Sequence, residues 1–191
     1  MLSQNTSDTN RDRAFASLRR QFPSWKDVAS ASATRVAKSI EVGGLSRIKA
    51  SRILKLLRHV EKSCGELSLD FLTNWPDEQI ERYLSGLEGV GPKTIACVLV
   101  FSLGRNVMPV DTHVRRVSTR LGILPEKLSD YAAHEYFLRF RDQLSLFQLH
   151  LNLIGHGRKT CRARKPLCQQ CVIRRLCNYY AEVTGPRRSA A

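Results

Sequence analysis

Four cysteines, Cys161, Cys168, Cys171 and Cys177, form a C-x6-C-x2-C-x5-C run within 17 residues. Where thiols are kept reduced, four of them so close together ligate a metal or a metal cluster. A zinc ribbon shows two close C-x2-C knuckles, and this run has one. Upstream, Lys93 follows Pro92 in the segment Leu84-Ser-Gly-Leu-Glu-Gly-Val-Gly-Pro-Lys-Thr-Ile-Ala96. Proline fits the first turn of a helix, which places Lys93 at the positive end of the helix dipole. That field, with partial burial, raises the share of neutral, nucleophilic amine. A solvated surface lysine would look the same, so both readings stay open on position alone. Asp111, 18 residues further on, lies in Pro109-Val-Asp-Thr-His-Val-Arg-Arg-Val117. It can cap the helix starting near Thr112, or face Lys93 and stabilise developing positive charge on a sugar. His113 beside it is either a phosphate or base contact or a packing residue.

The elements that must position these groups read as helices. Phe15, Leu18 and Phe22 make one apolar stripe, and Ile53, Leu56, Leu57, Val60 and Cys64 make another. Ile80, Tyr83, Leu84 and Leu87, then Val114, Val117 and Leu121, then Ala133, Tyr136, Phe137 and Phe140, repeat the pattern. Residues 95–103 are apolar on every face and predict a helix buried on all sides. No stretch alternates long enough for a strand, so the expected fold is all-α. In the turn before Pro92, Gly89 and Gly91 accept positive φ, and the amides of such a turn suit a phosphate oxygen. An ordinary helix–helix turn is the plainer reading. Cys64 and Cys97 fall on apolar faces and read as inert core residues.

Lys plus Arg number 31 against 17 Asp plus Glu, a net charge of +14. That imbalance points to a polyanion, nucleic acid first, because neutralised phosphates release counterions, with a ribosomal or solubilising role as the plainer reading. Nine Lys/Arg against one acid lie from Arg158 onward, with Arg162, Arg164 and Lys165 placed to rest on a phosphate backbone. No apolar run reaches membrane-span length and no secretory signal opens the chain, so a cytoplasmic, nucleoid-associated protein is expected. Residues 184–191 are small, polar and basic, which predicts a disordered tail.

Leu-x-Gly-Val-Gly-x-Lys-Thr, Val-Asp-Thr-His and the spaced cysteines stand in the order of the endonuclease III family, which this chain resembles from Leu87 to Cys177. Leu2-Ser-Gln-Asn-Thr-Ser-Asp8 and Gly44-Leu45-x-x-x-Lys49-Ala50 extend the resemblance to nearly the whole chain. The resemblance implies two helical domains flanking a cleft, with a helix-hairpin-helix element that grips a DNA backbone. The expected first domain is residues 1–106, six-helix-barrel-like without its first helix, with the hairpin at 84–95. The second is 107–183, with a cluster loop at 161–177. The cysteine spacing resembles that family's [4Fe–4S] loop. By resemblance, Lys93 attacks C1′ of a flipped-out damaged nucleotide in double-stranded DNA, Asp111 is the essential carboxylate, and a Schiff base leads to strand nicking. Asn5 and Leu45 match positions that wedge into the duplex, with Asn5 standing where the family more often has Gln. Glu88 replaces the hairpin's usual proline, an unexpected acid near phosphate. Because the family carries a helix before this chain's first residues, a start upstream of Met1 is expected.

The activity implied is that of a monomeric glycosylase with AP lyase activity on damaged, oxidised pyrimidines. A mismatch uracil/thymine glycosylase on the same fold, or a non-catalytic binding module, is the alternative.

Overall fold

The computed structural model describes residues 1–184, so all but the first residue of the expected tail lies outside the described residues. The chain divides into two compact units, Met1–Gly91 and Pro92 onward. The break falls inside the hairpin segment rather than at the 106/107 boundary expected from the sequence. Among the described residues there are helices and turns and no strand, and no helix is long and apolar enough to cross a membrane.

The first unit contains α1 (Asp8–Gln21), α2 (Trp25–Ser30), α3 (Ala33–Ser39), α4 (Ser46–Cys64) and α5 (Asp77–Ser85). Serine starts the first three. Ser7, Ser24 and Ser32 each accept a backbone N–H of the first turn, and Ser24 completes a capping box with Asp27. Helices α1, α2, α3 and α4 bury Ala14, Leu18, Phe22, Val28, Val36, Ile53 and Leu54 in one core. Phe15, expected on the buried stripe of α1, is instead 46% exposed. It lines an apolar groove with Leu18, Trp25, Ile53, Leu57 and Val60. A second aromatic group joins Phe71, Trp75 and Tyr83 edge to face at 5.0 to 5.8 Å. Cys64 meets the Tyr83 hydroxyl at 3.8 Å. Burial, then Cys64, pushes that phenol up to about 12.

The second unit contains α6 (Pro92–Phe101), α7 (Thr112–Leu121), α8 (Asp130–Leu138), α9 (Leu146–Lys159) and α10 (Asn178–Thr184). Here α7 packs on α9 and α10, and α6 on α8. Met108, Val114, Val117, Phe137, Leu146 and Leu153 form its core. The apolar helix predicted to be buried on all sides is α6, and its burial is one-sided. Ile95, Ala96, Leu99 and Val100 are buried, whereas Phe101 is 55% exposed and stacks edge to face on Phe147 and His150.

Candidate active site and cluster loop

Pro92 is the first residue of α6, so Lys93 sits in its opening turn, as the sequence predicts. The side chain is exposed rather than partly buried. Asp111 caps α7 as expected: one carboxylate oxygen, Oδ1, accepts the amides of His113 at 2.9 Å and Val114 at 2.8 Å. Because Oδ1 takes both bonds, the cap leaves Oδ2 uncommitted to it.

The segment leading to Asp111 is held by side chains that sequence reasoning missed. The Asn106 amide nitrogen donates to the carbonyls of Arg141 (2.6 Å) and Leu144 (2.9 Å). Its oxygen accepts from Leu146 N at 2.8 Å. His134 on α8 donates from Nδ1 to the Met108 carbonyl at 2.8 Å, and His150 on α9 hydrogen-bonds the next carbonyl, that of Pro109. Burial pushes both imidazoles down from the ordinary histidine value, and both rings feel the Lys93 cation. His150 also feels the Asp111 carboxylate. It is 3% exposed and its Nδ1 is buried without a hydrogen-bond partner among the described residues. The charges of Lys93 and Asp111 thus converge on one buried imidazole of the second unit. His113 faces Arg116 at 3.1 Å and packs where a side chain on Gly157 would have to go.

In the hairpin turn, Gly89 has φ +80°, and a Cβ there would meet Arg52 Cδ at 2.8 Å. Gly91 does not share the positive φ expected of it and has open space around it. Glu88 pairs with Lys55 at 2.6 Å, which neutralises the acid that looked out of place beside phosphate. Three non-glycine residues have positive φ among the described residues: Asn5, Leu45 and Lys165. All three are exposed, and all three are positions the sequence assigns to DNA contact. Strain of this kind persists where the surroundings enforce it, often at functional sites.

Cys161, Cys168, Cys171 and Cys177 are free thiols and line one pocket with Arg120, His156 and Tyr179. Burial pushes the Cys168 thiol up, and the other three cysteines add to the shift. Four mutually opposing thiols fit a shared cationic group, which would draw off their protons. Four cysteines lining one pocket are the donor set that an iron–sulfur cluster takes. Helix α7 holds this loop by two arginines the sequence did not flag. Arg116 donates to the carbonyls of Cys161 (3.0 Å) and Gly157 (2.9 Å). Arg120 donates to the Arg162 carbonyl (2.8 Å) and Cys161 Sγ (3.4 Å), and lies 4.6 Å over the Tyr179 ring. Arg162, Arg164 and Lys165 are exposed on the same loop.

Residues 1–141 match the profile of the HhH-GPD superfamily of base excision DNA repair proteins. The chain belongs to that superfamily. Residues 161–177 match the iron–sulfur binding domain of endonuclease III, so this HhH-GPD chain carries a [4Fe–4S] cluster loop. A candidate DNA glycosylase of Arabidopsis thaliana is 38% identical over 166 residues, covering 86% of this chain and 56% of that protein. The endonuclease III of Sulfolobus acidocaldarius is 34% identical over 184 residues, covering 95% of this chain and 80% of that one. Among solved structures, a trapped endonuclease III–DNA covalent intermediate superposes with a TM-score of 0.80. That match has 26% identity and covers 95% of this chain and 81% of the other. The chain therefore spans little more than half of the plant relative and most of the archaeal one.

Proposed function

We propose that this HhH-GPD chain is a base excision repair DNA glycosylase with AP lyase activity, using Lys93 as nucleophile on damaged pyrimidines in double-stranded DNA. What carries the reading is Lys93 exposed at the opening turn of α6 and Asp111 at the opening of α7 in the same unit, both close enough to act electrostatically on His150. A pure binding module needs neither group. The trapped covalent intermediate of the similar endonuclease III points the same way.

In this reading the neutral Nζ of Lys93 attacks C1′ of an extruded nucleotide as the C1′–base bond breaks. The base leaves with the bonding pair and takes up a proton. Opening of the C1′–O4′ bond gives an iminium. Loss of a C2′ proton then expels the 3′ phosphate, and water releases the lysine. The Asp111 carboxylate stabilises the positive charge on the sugar. Cys161, Cys168, Cys171 and Cys177 hold the cluster, which keeps the basic loop with Arg162, Arg164 and Lys165 in shape against phosphate. Gly89, Gly91 and His113 join the backbone contacts, and Asn5 and Leu45 fill the space left by the flipped nucleotide. The protein acts as a monomer on the cytoplasmic nucleoid.

Borohydride trapping on an abasic-site duplex tests this. The wild-type chain gives a covalent adduct, and Lys93→Gln gives none while still binding the duplex. An adduct of undiminished yield in Lys93→Gln would refute the assignment.

A further inference from the structure

Lys49 on α4 is 2% exposed, yet among the described residues its ammonium meets no carboxylate acceptor. It donates to two neutral backbone carbonyls, Leu2 at 3.0 Å and Gly43 at 2.8 Å. Burial accordingly pushes the ammonium below the ordinary lysine range. A methionine or leucine would occupy that space without desolvating a charge. The physical interest therefore lies in what the two carbonyls belong to.

Leu2 lies in the turn closed by Gln4 N on the Met1 carbonyl at 3.1 Å, and Asn5 follows with φ 49°. Gly43 lies two residues before Leu45, which has φ 49° and ψ 34° and no side-chain cap. The Lys49 amide also bonds the Leu45 carbonyl at 3.0 Å, so one residue grips this loop twice. The loop has no slack on its other side, because a Cβ on Gly43 would approach Ala14 Cβ to 3.1 Å. A second tie joins the same turn to the hairpin: Gln4 Nε2 donates to the Gly89 carbonyl at 3.1 Å. Left-handed backbone is disfavoured for leucine and relaxes unless held.

We infer that Lys49 is a positioning residue whose buried ammonium, with the Gln4 amide as a second tie, fixes the spacing of Asn5 and Leu45 so that both enter an opened duplex together. The inference rests on the glycosylase reading, which supplies the opened duplex. Neither Lys49 nor Gln4 is among the reacting groups proposed above.

The test compares binding of the full chain, cluster loaded, to an undamaged duplex and to the same duplex with a tetrahydrofuran abasic analogue. A 2-aminopurine placed beside the analogue reports local unstacking. Lys49→Met keeps its affinity for the undamaged duplex within about twofold but loses about tenfold in preference for the analogue, less than the roughly hundredfold that an ångström misplacement can cost. Its 2-aminopurine signal falls with the preference. A retained preference, or an equal loss on both duplexes, overturns the inference. If Lys49→Met does not fold, Gln4→Ala carries the test: it loses about threefold in preference at unchanged undamaged affinity, and an unchanged preference overturns the proposal. A wild-type chain with no preference for the analogue would remove the glycosylase reading and this inference together. A wild-type preference that Lys49→Met retains removes the inference alone.

Discussion

At the scale of single residues, Asp111 caps α7, and substitution can separate that job from the catalytic one proposed for it. Asparagine keeps a side-chain oxygen for the His113 and Val114 amides, so Asp111→Asn should stay within about 0.5 kcal/mol of wild type in stability. Its charge is lost, and single-turnover nicking of an abasic duplex should fall about a hundredfold or more. Asp111→Ala loses the cap as well and should be less stable by about 1 kcal/mol. Thermal melts beside the nicking assay check both; equal nicking by Asn and wild type would leave Asp111 a cap alone. The placement of Lys93 in the opening turn of α6, of Asp111 at the cap of α7 and of the four cysteines around one pocket was legible in the sequence, because proline, capping and cysteine spacing are local signals. Lys49, Arg116 and Arg120 were not legible as holders of anything. Apart from Gly43, six residues before Lys49, the partners that these side chains hold lie 41 to 47 residues away in the chain, and a buried lysine on a helix looks in sequence like a solvated one.

At the scale of elements, the strap from Asn106 to Asp111 depends on two neutral imidazoles. Burial lowers both His134 and His150 from an ordinary value of 6.5. A group whose folded value is depressed in this way binds its proton more readily when unfolded. The neutral rings therefore contribute in full above about pH 6.5, and that contribution drains away as the pH falls below it. The melting temperature should drop on acidification from about pH 6.5, and the drop should shrink in a His134→Gln/His150→Gln double variant. An identical acid profile in the two proteins would dismiss the histidine brace. Periodicity found α4, α5, α7 and α8 because each runs for more than two turns with one apolar face. It missed α2 and α3, which have 6 and 7 residues, too few to display a period. It also missed α9, whose last turns carry Gly155 and Gly157 in place of apolar side chains. The all-apolar run at 95–103 gave no sign of which face stays open, since Phe101 finds its neighbours on α9.

At the scale of the whole molecule, a charge of +14 makes backbone affinity a matter of ionic strength. Binding to undamaged duplex should weaken linearly in log–log terms, with a slope of about −0.9 per phosphate neutralised; a flat salt response would remove DNA as the polyanion. The cluster loop has only short helical turns of its own, at Cys168–Gln170 and Arg174–Leu176. Iron removal should therefore speed amide exchange across 161–177 while the α7–α9 core stays protected. Exchange unchanged in the loop would show that Arg116 and Arg120 suffice to shape it. The backbone at Leu45 has a further consequence. A glycine there would adopt the same left-handed geometry at no steric penalty, and the leucine side chain, 52% exposed, surrenders little packing. Leu45→Gly should therefore melt higher, by roughly 1 kcal/mol of stability. Any selection for heat resistance alone would favour that change, and if Leu45 enters the duplex as proposed, the sturdier protein would discriminate damage less well.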